Sequence, residues 1–468
     1  MLFLYCFLLT LVFSDPFSLF QLFSCVSLFF AIRTALSRIY NIDVARGTDI
    51  LVHLDKPENK SHIVAYMLFD GKIDSNFIKT QVQSNLYRYK EYEKLQKTLK
   101  SMFLVHYWCP VSNFDFEKHI EVLTKPIESS EELNDFMTYH TSEAPFEPGL
   151  PQWKVFILPS IFDGKSAFIM KIHHSLGDGA SIMSLIFNLG SCASFESIKL
   201  PKFSFFQWLL FMPLGLYHTL NLVGYIIVDY FFHLKKKNDF SGLKLSGKKS
   251  GCCSKAIPLQ NLKLLSENNP TGFNELVLTL LNKSLQRAHQ KKYQKEINEL
   301  PILMAASLRN YPKPETPLEL TNFTNFIRLL EFPKGSFQTI LERYKILMKS
   351  FKKSCDFYYV QFFSDILLLI VPIWVSEWTM HLFFKAYPFI LTSVPGPLKK
   401  IRLFDMEVVE MRFLANSPGH IYAVFNVLSY DGKVNFGCFA DDASGIESNE
   451  IIKGIEELIE NEDQKKKI

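Results

Sequence analysis

The chain has 468 residues, enough for two or three ordinary domains. Hydrophobic residues make up 48% and charged residues 21%, which excludes global disorder, and a net charge of +4 is too small to argue for nucleic acid, of which no binding signature appears. Phenylalanine occurs 44 times, so the chain needs large apolar interiors, an apolar ligand, a membrane, or all three.

Residues 1–32 are apolar except for Asp15, which Pro16 follows. There is no positive charge ahead of this run, so it does not read as a secretory signal peptide. The Asp15–Pro16 break predicts a kinked span or a hairpin in one leaflet. Arg33, Arg38 and Arg46 come next and place the downstream chain on the cytosolic side. Residues 1–40 are thus expected to be a membrane anchor.

Strands are expected at 62–69 and 101–109, with a helix over 74–99 between them. A further strand over 166–174 leads into a helix over 180–189. Residues 205–228 carry no formal charge and are long enough to cross a bilayer, but basic residues flank both ends. Residues 235–255, rich in Lys, Ser and Gly, read as a flexible linker. Past it come a helix over 271–290 starting at Thr271 or Asn274, and a strand over 300–308. The run 357–376 contains Asp365 and Pro372 and reads as a buried or interfacial helix. A hairpin is expected around Asp431–Gly432, then a final helix over 448–461. Strands and helices mix on both sides of the linker, an α/β (α+β) class in two parts. The eight cysteines show no CxxC spacing and read as reduced thiols, with the adjacent Cys252 and Cys253 open to lipidation.

The stretch KIHHSLGDGAS, 171–181, carries two adjacent histidines, an aspartate and two turn-forming glycines. Successive strand residues face opposite ways, so His173 and His174 cannot both face one cavity. One should be structural and one chemical. Asp178 can cap the helix that follows or pair with a cation. A packed histidine pair is the competing reading. No further His/Glu cluster at metal spacing is visible, so no metal is expected.

HHSLGDG at 173–179 resembles the HHxxxDG signature of the coenzyme A-dependent acyltransferases, a superfamily that includes chloramphenicol acetyltransferase and peptide-synthetase condensation domains. LPQWKVFIL (150–158), FNELVLTLL (273–281), AASLRN (305–310), LTSVPGP (391–397) and SYDGKVNFGCFAD (429–441) resemble, in order, motifs of the wax ester synthase/diacylglycerol acyltransferase family. Gln152, Glu275 and Ser393 depart from its pattern.

The resemblance implies two chloramphenicol-acetyltransferase-like domains forming a pseudo-dimer, at 41–204 and 256–468, with the active site in a tunnel between them. A segment 205–255 comprising an interfacial or re-entrant helix and the linker would join them, since a single crossing would put the halves on opposite sides of the membrane. It implies His174 as general base, with His173, Asp178, Gly179 and Arg309 supporting it. Ser393, Pro395, Gly396, Trp153 and Asn274 would position substrate. The implied reaction moves an acyl group from acyl-coenzyme A, a co-substrate and not a resident cofactor, to a fatty alcohol or diacylglycerol. The partners are then these lipids and the membrane, with no nucleic acid. The expected location is the endoplasmic reticulum membrane with the catalytic domains facing the cytosol. Acyl transfer to a sterol or retinol, and a non-catalytic lipid-binding protein that keeps the fold, are the alternative readings. Three sequons, at Asn59, Asn282 and Asn322, would permit glycosylation of a lumenal enzyme.

Overall fold

The computed structural model describes residues 37–190, 243–265, 271–353 and 383–465, with a few positions between them and without 52, 54, 57, 103–104, 308, 310–312, 314 and 417–418. Residues 1–27, most of the expected anchor, lie outside this set, as do 205–228 and 357–376. Among the described residues no helix is long and apolar enough to cross a membrane.

After a helical stretch ending at 39 come strand β1 (Asp43–Val44) and helix α1 (Gly47–Leu51), followed by β2 (His62–Asp70) and α2 (Ser75–Arg88). Asp74 caps α2 by accepting from the amides of Asn76 and Phe77. The helix expected over 74–99 stops at Arg88, because Tyr89 is extended and a 3₁₀ turn (Lys90–Gln96) buries Tyr92 and Leu95. The strand expected at 101–109 is parts of two strands, β3 (Lys97–Met102) and β4 (Val105–Pro110), paired antiparallel. Then come β5 (Ile120–Val122), α3 (Ser130–Ser142), β6 (Trp153–Leu158), β7 (Lys165–His173) and α4 (Gly179–Leu189). Strands β2 and β7 are apolar on both faces because both are covered. Phe168, Met170 and Ile172 enter one core, while Ala167 and Ile169 join Leu133 and Met137 of α3 in another.

The second half contains β8 (Lys249–Cys253), β9 (Ile257–Pro258), α5 (Leu259–Leu264), α6 (Phe273–Tyr293), β10 (Ile302–Ser307), β11 (Thr324–Leu329), α7 (Phe337–Lys353), β12 (Phe389–Pro395), β13 (Arg402–Leu403), β14 (Met406–Ala415), β15 (Ala423–Tyr430), β16 (Lys433–Asp441) and α8 (Ser448–Lys465). Its sheet runs β11-β10-β12-β15-β16-β8. Asp431 and Gly432 both take positive φ, 49° and 67°, as a two-residue hairpin turn requires. Gly272 is the N-cap residue of α6, in place of Thr271 or Asn274, and α6 packs against α7 and α8 over the sheet's outer core.

The sheets do not divide where the sequence predicts. β8 lies inside the expected flexible linker, yet it is the edge strand beside β16, and α3 of the first half packs on it. A Cβ at Gly251 would lie 2.2 Å from Thr138 Oγ1, so only glycine lets α3 come this close. β13 and β14 leave the second half and extend the first sheet, in the order β13-β14-β2-β7-β6-β5. Burial pushes the Cys253 thiol up to about 12, which disfavours the thiolate that lipidation needs.

Candidate active site

A cavity of about 150 Å³ lies between the sheets, and strand alternation decides what faces it. From the first sheet come Ile63, Ala65 and Met67 of β2, with Met411, Phe413 and Ala415 of β14. Helix α4 adds Gly179, Ile182, Met183 and Ile186. From the second sheet come Ala305 of β10, Ile390, Thr392 and Val394 of β12, and Val424 and Leu428 of β15. The lining is almost wholly apolar. Its polar groups include His174, Asn322, Thr48 and Thr324.

His173 ends β7, and His174 begins a 3₁₀ turn (His174–Leu176) that leads to α4. The His174 backbone N–H donates to Ser61 O at 2.7 Å, which fixes the turn against the segment before β2. Its Nδ1 lies 2.9 Å from Oδ1 of Asn322. The Asn322 amide has one satisfiable orientation. Its Nδ2 donates to Asp49 Oδ1 and to His174 O, both at 2.9 Å, and both can only accept. Oδ1 therefore faces the ring, Nδ1 carries the proton, and the Nε2 lone pair is the one left for chemistry. Asp49 is 1% exposed and is neutralised by Lys94 at 2.7 Å, which also donates to Leu320 O. Burial holds the His174 pKa below the ordinary imidazole value, against the opposing pull of the Asp178 carboxylate and the Asn322 bond. A neutral ring facing an apolar cavity can accept a proton from a hydroxyl.

His173 points the other way, onto the α3 side of the sheet. It is fully buried, accepts from Ser175 N through Nδ1 at 3.1 Å, and meets Asp55 Oδ2 through Nε2 at 3.1 Å. Asp178 hydrogen-bonds to neither histidine ring. It caps α4 through Ser181 N at 3.0 Å, while its Oδ2 accepts from Phe323 N at 3.0 Å and Thr324 Oγ1 at 3.2 Å. The Arg309 guanidinium is 3.9 Å from the same oxygen and stacks on Phe323. Asp178 thus fastens the turn of the first half to the 321–324 segment of the second. Gly179 allows a close approach, since a Cβ there would stand 3.2 Å from Val394 Cγ2.

The remaining expected positioning residues do not reach the cavity. Trp153 is 1% exposed in the first core, stacks on His119 and donates through Nε1 to Leu95 O at 2.7 Å. Asn274 sits in the first turn of α6 and is not among the lining residues. Ser393 lies between Thr392 and Val394 and shares the opposite strand face with Phe389 and Leu391, which enter the outer core. Pro395 ends the strand and is exposed. Gly396 passes so close to the Ser429 carbonyl that any Cβ would collide with it, a backbone requirement.

Asn322, Asp49 and Asp55 were not legible as site residues. Asn322 reads locally as a sequon, yet it is 3% exposed, and Asn59 and Asn282 are buried as deeply. None of the three offers a surface for a glycan in the folded chain. The expectation of no metal-type cluster rests on sequence spacing alone. In space, one ligand atom each from Asp55, His62 and His173 lies within 4.8 Å of the others.

The sequence model described as the wax ester synthase/diacylglycerol acyltransferase catalytic domain matches residues 48–194. The one described as the WS/DGAT C-terminal domain matches residues 323–461. The Arabidopsis thaliana protein named wax ester synthase/diacylglycerol acyltransferase 2 is 25% identical over 210 residues, 40% of this chain and 43% of that protein. The Mycobacterium tuberculosis (strain CDC 1551 / Oshkosh) protein named "Probable diacyglycerol O-acyltransferase tgs1" is 17% identical over 375 residues, 75% of this chain and 80% of that protein. The chain thus spans less than half the length of the Arabidopsis relative. Among solved structures, the wax ester synthase/diacylglycerol acyltransferase from Marinobacter aquaeolei VT8 superposes with a TM-score of 0.58 at 16% identity, covering 90% of this chain and all of that one. The trichothecene 15-O-acetyltransferase TRI3 from Fusarium sporotrichioides does so at 0.57 and 11% identity, covering 89% and 94%. These superpositions show a shared fold.

Proposed function

The chain belongs to the wax ester synthase/diacylglycerol acyltransferase family, and from that footing we propose that it transfers an acyl group from acyl-coenzyme A to the hydroxyl of a lipid alcohol. A fatty alcohol acceptor yields a wax ester, and diacylglycerol yields triacylglycerol. The observation that carries this reading is the Asn322–His174 pair at the wall of an apolar cavity.

His174 Nε2 takes the proton of the alcohol as its oxygen attacks the thioester carbonyl. The tetrahedral intermediate collapses, the carbon–sulfur bond breaks, and the imidazolium returns its proton to the departing coenzyme A thiolate. Ester and thiol are the products, and the ring ends neutral. General-base assistance contributes on the order of 10²–10⁴-fold. Holding two apolar substrates together away from water adds to this. The apolar stretches 1–32 and 205–228 support a membrane-surface location, where such substrates partition, and Arg33, Arg38 and Arg46 support the cytosolic side.

The test offers labelled acyl-coenzyme A to membranes carrying the chain or its His174→Ala variant, with hexadecanol and diacylglycerol supplied separately. Ester should form with at least one acceptor and collapse in the variant. Equal yield from both proteins refutes the mechanism. No ester from either, with lipid still bound, indicates a binding protein instead.

A further inference from the structure

We propose that Asp55, His62 and His173 form a binding site for a divalent cation of the zinc class, and that the bound ion holds the neighbouring catalytic turn in an inactive state. The inhibitory half rests on the acyl-transfer reading above, and the binding half does not.

The ligand set is the first argument. Two imidazoles and one carboxylate are zinc-type donors, and a fourth position goes to water or another ring. The three offered atoms lie within 4.8 Å of one another. Asp55 Oδ2 and His173 Nε2 are already 3.1 Å apart. Ligands of a tetrahedral zinc ion with bonds of about 2.0–2.2 Å stand roughly 3.3 Å from one another, so the His62 arm alone must close in. The fold brings the three together from separate places. Asp55 is in the segment after α1, while His62 opens β2 opposite His173 at the end of β7.

Unsatisfied nitrogens are the second argument. His62 is 2% exposed, and its Nδ1 has no hydrogen-bond partner among the described residues. His53 Nδ1 is also buried without one, and the His53 ring centroid is 5.4 Å from that of His173. Buried ring nitrogens normally find partners, and an ion would serve as one. Lys171 lies on the same strand face as His173, donates to Ala144 O, and its charge acts on His62.

The coupling runs through the His173 ring. At present Ser175 N–H donates to Nδ1, so Nε2 carries the proton and gives it to Asp55. A cation needs the Nε2 lone pair. That proton is released and one is taken up at Nδ1, so the ring stays neutral. The new Nδ1–H confronts the Ser175 amide and donates to Ser175 Oγ, 2.8 Å away, in its place. The lost amide bond lies inside the turn that carries His174.

The test titrates Zn²⁺ into the full-length, chelator-stripped chain in detergent, following bound metal by competition with a chelating dye and acyl transfer in parallel. One ion per chain should bind, activity should fall with occupancy, and EDTA should restore it. His62→Phe should keep its basal activity and lose most of its zinc affinity, because one of the three protein ligands is gone. Equal affinity in the variant, or no binding by the wild type, overturns the site. Should the variant misfold, Co²⁺ on the wild type replaces it: strong visible bands of a tetrahedral ion support the site, and weak octahedral bands refute it. Binding without inhibition overturns the coupling. Stoichiometric binding by a chain with no measurable acyl transfer keeps the site and counts against the proposed reaction.

Discussion

Asn322 Oδ1 accepts from His174 Nδ1 at 2.9 Å, across a sequence separation of 148 residues. The amide cannot turn over, because Asp49 and the His174 carbonyl hold its Nδ2. The second half of the chain therefore chooses the tautomer of a ring carried by the first. Replacing Asn322 with alanine should lower kcat by about 10–100-fold, less than the loss in His174→Ala, because the ring survives without its orienter. KM should change little. A steady-state comparison of both variants checks this, and a loss confined to KM would contradict it.

Asp178 is fully buried and joins the turn after His174 to Phe323, Thr324 and Arg309. Removing one member of a buried ion pair leaves an uncompensated charge and costs about 3–5 kcal/mol. Asp178→Ala should show that loss in chemical denaturation. Asp178→Ala combined with Arg309→Met should recover part of it. An unchanged midpoint in Asp178→Ala would mean the pair contributes nothing.

Trp153 lies in the first core and not at the cavity wall. Trp153→Phe removes the bond to Leu95 O and should cost about 1 kcal/mol beyond the lost packing. KM for both substrates should stay as in the wild type. A raised KM at full stability would return Trp153 to a substrate role.

On β12 the neighbours Ser393 and Val394 face opposite sides. Ser393→Ala should leave kcat/KM near the wild-type value. Val394→Phe should fill part of the cavity and reduce transfer of long acyl chains more than short ones. The reverse ranking would assign Ser393, and not Val394, to the cavity wall.

His140 is packed between Phe136 and Phe156, and burial, with Lys171 and Lys154 nearby, lowers its pKa from 6.5 to about 3. The unfolded chain therefore takes up a proton on this ring before the folded chain does. Its contribution to stability is complete above pH 6.5 and declines as the pH falls towards 3. Melting temperature followed across that window should fall less steeply for His140→Phe than for the wild type. Parallel curves would assign the acid sensitivity elsewhere.

The linker expectation failed for a physical reason. Lys249–Cys253 has few large apolar residues, and nothing local makes it a strand. It becomes one because β16 supplies an open edge and Thr138 of α3 fits over Gly251. The same applies to β14, whose pairing with β2 no local pattern announces.

The 173–179 stretch determined by itself that a strand leads into the two histidines and turns into a helix, because alternation and glycine geometry act over a few residues. Those rules also required His173 and His174 to part company. Which ring met the cavity, which tautomer it held, and that Trp153, Asn274 and Ser393 stay off its lining were decided only by tertiary structure. Each depends on contacts between residues more than a hundred positions apart or on the register of a buried strand, and such contacts leave no periodicity in the chain.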